Sequence, residues 1–110
     1  MPMAKRGSDE VYNTYIEMVN TLYASKCDRV YCGALLAVFL MRGKHAIFPC
    51  GDMSKDEQDK YGLHNVVTLV YKDKPIDIYV SRSMKIDDRG LYTNKGEALH
   101  TLQFDPVELV

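Results

Sequence analysis

The sequence predicts an α+β fold, with N-terminal helices followed by an antiparallel sheet, and three observations carry that reading. Val11, Tyr15, Val19 and Leu22 recur at about 3.6-residue spacing, the stripe of an amphipathic helix. Residues 30–43, "VYCGALLAVFLMRG", are almost wholly apolar and end at a glycine. Beyond them the period changes: "HNVVTLVYK" (64–72) and "PIDIYVS" (75–81) read as two strands around the tight "KDKP" turn. Helices first and strands afterwards is the order of an α+β chain.

Each element has its own local reason. Residues 1–7 read as a loose tail. Ser8 offers an N-cap oxygen, and Asp9 and Glu10 suit the positive end of a helix running from about residue 9 to about residue 25. "SKCDR" interrupts it. A second helix begins near Cys32 and stops at Gly43; it is apolar all round, so it belongs in the middle of the fold. "HAIFP" (45–49) reads as a short strand closed by Pro49. Residues 50–62 are charged and have no apolar stripe, which fits a surface loop or a short exposed helix. "DDRG" and "TNKG" are turns, and "ALHTLQF" (98–104) alternates as a last strand ended by Asp105-Pro106.

The hairpin can be taken further. A two-residue turn at Asp73-Lys74 gives one face to Val67, Leu69, Ile76, Ile78 and Val80, a core face. The other, more polar face carries His64, Thr68, Asp77 and Tyr79. That register sets His64 opposite Ser83. Asp77 then lies about 20 Å along the strand from His64, beyond contact without a bulge or a longer loop.

Bulk properties narrow the function classes. The 110 residues make one domain's worth of chain, 1–110, long enough to bury a core without metal or disulfide. The net charge of −1 gives no basic field to draw the chain to nucleic acid or anionic lipid, so neither partner is expected. The longest apolar run, Tyr31 to Met41, is too short to span a bilayer. Cys27, Cys32 and Cys50 are odd in number and form no CxxC, which predicts reduced thiols in a cytoplasmic compartment. Together with His45, His64 and His100 they supply zinc-ligand types, but at spacings that match no usual ligand pair, so no metal or other cofactor is expected. No glycine-rich phosphate loop follows a strand.

Three residues could carry chemistry. Cys32 heads the apolar helix, His64 opens an apolar strand, and Asp77 lies on the next strand. A thiol becomes a nucleophile when a helix N-terminus and an imidazolium lower its pKa, and the imidazole in turn needs an orienting oxygen. "YCGALLAVFL", "HNVVTLVY" and "KPIDIYV" together resemble the core of the papain-like cysteine-enzyme superfamily, nearest in flavour to its transglutaminase-like and papain-fold toxin or deamidase members. The resemblance covers about residues 30–80. It implies a papain-like fold, with Cys32 as nucleophile, His64 as general base and acid, and Asp77 as orienting carboxylate. The Cys32 backbone N–H would meet the oxyanion. The implied activity is cysteine-dependent acyl transfer on a protein or peptide: amide or isopeptide hydrolysis, or glutamine deamidation.

A reading from another class stands beside it. Compact size, near-neutral charge and eight tyrosines equally suit a non-catalytic binding protein, such as an inhibitor, an immunity protein or an adaptor of microbial or phage origin. The two readings differ at one place. An enzyme needs Cys32 exposed at a cleft with His64 within hydrogen-bond reach, whereas a binding protein buries Cys32 among aliphatic side chains and holds His64 elsewhere. The oligomeric state is not legible.

Overall fold

A computed structural model describes residues 6–47 and 53–110 of the chain. The first five residues of the expected tail, Pro49 and Cys50 lie outside the described residues. Helix α1 spans Ser8–Ser25, strand β1 Arg29–Cys32, helix α2 Ala34–Met41 and strand β2 Ala46–Ile47. Helix α3 (Lys55–Tyr61) precedes the hairpin of β3 (Leu63–Tyr71) and β4 (Lys74–Ser81). Two short strands follow, β5 (Gly90–Tyr92) and β6 (Ala98–Thr101), and then a 3-10 turn, η1 (Pro106–Leu109).

The fold is α+β, as the sequence predicts, with helices leading into a sheet. That sheet has six strands in the order β2-β3-β4-β1-β5-β6. It is mixed: β1 runs parallel to β4, and the other four pairings are antiparallel. The parallel pair arises because β1 is an extra strand inserted between the helices. The sequence reading takes Val30, Tyr31 and Cys32 into the apolar run and starts the second helix near Cys32; the structure makes them a strand and starts α2 at Ala34, since four residues are too few to display a period.

Alternation along β4 divides the two faces. Ile76 and Ile78 are fully buried on the helical side, and Val80 packs against the same cluster. Tyr79 enters a separate small cluster with Met53 and Leu63 on the other side. Over the first face lie α1, through Tyr15, Met18, Val19 and Leu22, and α2, through Leu36, Ala37, Phe39 and Leu40. Each fully buried leucine or isoleucine in this core contributes about 2 kcal/mol through the apolar area it removes from water. Helix α2 is not enclosed all round, because Val38 stays exposed.

Helix α3 buries none of its own residues and is held by local polar contacts. The Ser54 hydroxyl accepts the Glu57 N–H, an N-cap with acidic residues in the first turn. The Gln58 side chain accepts the Asn65 N–H at 3.0 Å and donates to the Met53 carbonyl at 3.0 Å, pinning α3 to the start of β3. Helix α1 starts with Gly7, not Ser8, at the capping position. Arg6, which the sequence reading assigns to the loose tail, is anchored. It pairs with Glu10 at 2.8 Å and with Glu108 at 3.2 Å, and it lies over the Phe104 ring.

The hairpin turn is centred one residue earlier than the sequence register puts it. Tyr71 pairs with Lys74, leaving Lys72 and Asp73 as the loop at φ 50° and 63°. Both values are left-handed, as a type I′ turn requires, and neither residue is a glycine or an asparagine. Side chains in that region carry a steric cost of about 1 kcal/mol each. Replacing the pair by Lys72→Asn with Asp73→Gly is therefore expected to stabilise the protein by about 1 kcal/mol. The measurement is the urea midpoint, which should rise with an unchanged slope.

Candidate functional site

Cys32 is the last residue of β1, and its neighbour Gly33 caps α2 in an extended conformation. The glycine is required by what passes over it. A Cβ at residue 33 would stand 2.4 Å from the Lys85 carbonyl oxygen and 3.3 Å from the Asp88 Cβ. The segment after β4 thus covers the head of α2, and the Leu35 N–H donates to the Ile86 carbonyl at 3.0 Å. That donor belongs to the first turn of α2, where the positive end of the helix dipole would otherwise face an anion.

The thiol beneath this cover is fully buried, at 0% exposure, within the core formed by both helices and the sheet. Burial pushes it up to about 12, and the nearby Asp88 carboxylate adds to the effect. Both influences oppose the thiolate. Asp88 itself is held in place, accepting the Gly90 N–H at 2.9 Å and the Tyr92 hydroxyl at 2.8 Å.

His64 stands in one row with Cys32. On β4, Val80 pairs with Cys32 of β1 on one side and with His64 of β3 on the other. The row puts Val80 between them and their Cα atoms two strand spacings apart, about 10 Å. The exposed His64 ring faces another partner: its Nε2 accepts the Arg82 Nε–H at 3.0 Å, and Arg82 also reaches Asp59 on α3 at 3.3 Å. Asp77 lies in register with Arg29 and Thr68, and its carboxylate accepts the Thr68 hydroxyl at 2.7 Å.

The expected sharing of a face by His64 and Asp77 is corrected by a bulge. The register of β3 against β4 shifts between Asn65 and Val67. One extra residue reverses the side of everything before it, so His64 turns to the Val80 face and Asp77 stays with Tyr79 on the opposite one. His64 also pairs with Val80 rather than Ser83. The structure therefore brings none of Cys32, His64 and Asp77 into contact with another. Among the described residues, no three His, Cys, Asp or Glu side chains converge as a metal would need, and no helix is long and apolar enough to cross a membrane.

Among the described residues, concavities lie elsewhere. One, of about 440 Å³, opens on the α3 face and is lined by Arg29, Tyr31, Glu57, Tyr61 and Asn94 among others. The second, of about 370 Å³, lies between α1, the end of α2 and η1, with Tyr15, Phe39, Arg42, Lys44 and Leu109 in its walls. Gly43 sits beside it for a steric reason. A Cβ there would fall 2.0 Å from the Tyr15 ring, so the glycine taken from sequence as a helix stop is the seat of that ring. The stripe of α1 exposed this groove's residues in sequence, but nothing in that stripe distinguishes a groove wall from a core residue. Compared with known proteins, the chain matches no family model, no curated protein and no solved structure.

The raised thiol has a consequence for stability. A thiol near 9 when unfolded and near 12 when folded holds its proton longer in the native state. Stability is unaffected below about pH 9, falls above it by up to about 1.4 kcal/mol per pH unit, and levels off above about 12. Chemical unfolding followed against pH should show this decline in the wild type, and in Cys32→Ala the part contributed by the thiol should vanish.

Proposed function

We propose that this chain is a non-catalytic binding protein, of the inhibitor, immunity-protein or adaptor kind, acting on a protein partner. The observation that carries this reading is the state of Cys32: a fully buried thiol pushed up to about 12, next to a carboxylate and out of reach of an imidazole. Supporting it, His64 is engaged by Arg82 and Asp77 by Thr68, so each has a structural role without the others. Tyr12, Tyr23 and Tyr61 stay exposed, and tyrosine offers a large rigid contact area together with a hydroxyl, which suits recognition of a protein surface. The resemblance to papain-like enzymes then concerns a sequence pattern, a cysteine at the head of an apolar helix and a histidine on a strand, without the reactive pair. The unpaired thiols of Cys27 and Cys32 fit a reducing, cytoplasmic setting. Nucleic acid is not among the proposed partners, given the net charge of −1.

The test is alkylation of the folded protein by iodoacetamide across a pH series, with each cysteine followed by peptide mass spectrometry. A thiol near 12 has about a thousandfold less thiolate at pH 8 than one near 9. Cys32 should resist modification while the half-buried Cys27 reacts, and His64→Ala should leave the Cys32 profile unchanged. Rapid Cys32 modification below pH 7 that disappears in His64→Ala would instead establish a cysteine–histidine pair and return the acyl-transfer reading.

A further inference from the structure

The groove between α1, the C-terminal end of α2 and η1 has an asymmetry that a core defect would not have. Its floor and walls are apolar, formed by Val11, Tyr12, Ile16, Phe39 and Leu109. Its charged lining residues are Arg42 and Lys44, both exposed and both cationic, and neither makes an ion pair among the described residues. Its lining includes no Asp or Glu among the described residues. The Tyr15 side chain, 7% exposed, lines the same end, its ring resting on Gly43 between those two cations in the sequence.

The Tyr15 hydroxyl is buried, with the His45 backbone against it. Burial also pushes the phenol upward, so it keeps its proton and remains a donor. Tyr15 lies two turns beyond Ser8, about 10 Å along the helix axis, the length of an extended chain of about eight carbons.

We propose that this groove binds a small amphipathic carboxylate, its chain on Val11, Tyr12, Ile16, Phe39 and Leu109 and its carboxylate at Arg42 and Lys44 beside Tyr15. The volume falls within the range of small-molecule sites, and an apolar wall with a few convergent polar groups is their usual composition. The ligand is held by apolar burial of its chain and oriented by charge at its head. The site shares no residue with Cys32, His64 or Asp77, so it stands or falls separately from the reading of the whole chain as a binding protein.

The probe is octanoate, titrated into the intact protein and followed by backbone amide shifts in two-dimensional NMR, with octanol as the uncharged control. Saturable shifts confined to α1, residues 39–44 and η1 are expected, at about millimolar dissociation constant or tighter. Octanol should bind at least about tenfold more weakly. The double variant Arg42→Gln, Lys44→Gln, altered only at exposed positions, should lose about tenfold for octanoate and leave octanol unchanged. Non-saturable shifts, equal binding of acid and alcohol, or indifference of octanoate to the double variant would overturn the proposal. So would groove shifts that follow protein concentration without any ligand, which would assign the surface to a second copy of the chain.

Discussion

Four residues in the middle of the sheet, Arg29–Cys32, join its two halves. The hairpin of β3 and β4 lies on one side of them, and the short pair β5 and β6 on the other. The joint is a parallel ladder from Arg29 against Asp77 to Cys32 against Val80, begun by the Asp77 N–H donating to the Asp28 carbonyl at 2.8 Å. Because β1 is flanked on both sides, its inward residues Val30 and Cys32 are enclosed completely. A cysteine at the end of such a strand inherits the dielectric of the core. Its chemistry is thereby set by strand order before any neighbouring side chain is considered.

From that ladder the positions of the other chemical groups follow. Val80 is shared by Cys32 and His64, which places them in one row but separates them by a whole strand. The bulge near Asn65 and Val67 decides the face on which His64 emerges, and the Asn65 side chain supports this stretch by donating to the Ile78 carbonyl at 3.1 Å. Arg82 then ties His64 to α3, so the imidazole serves as an acceptor in a surface network. On the opposite face, Arg29, Asp77 and Thr68 form a polar row across three strands. Residues that could have formed one site in another register are here divided between two surfaces.

Much of this was legible in the sequence, for physical reasons that can be named. The stripe of α1 includes Tyr15, Val19 and Leu22, all buried, because an 18-residue helix repeats its period several times. The core face of the hairpin, Val67, Leu69, Ile76 and Ile78, was legible because alternation survives a one-residue error in turn position when both arms move together. Ser54 and Glu57 held a capping-box signal for α3 that the charge of the segment concealed. Strands β1 and β5 were not legible, being four and three residues long, and neither was the bulge, which leaves no mark on local composition. At the candidate triad, residue types and order could be read in advance. The separation of His64 from Asp77 could be read as well, from the hairpin register; the separation of Cys32 from His64 could not, since it depended on β1 lying beside β4.

The parallel ladder also has a meaning in time. The arms of the β3–β4 hairpin meet across a two-residue turn, so they can find each other by local search. Arg29 and Asp77 are 48 positions apart, and their pairing must close a long loop before it gains any hydrogen bond. Closing such non-local contacts is what slows the folding of small proteins. In the folded sheet β1 occupies the inner edge of β4, so Arg29–Cys32 also close that edge to pairing with a strand of another molecule.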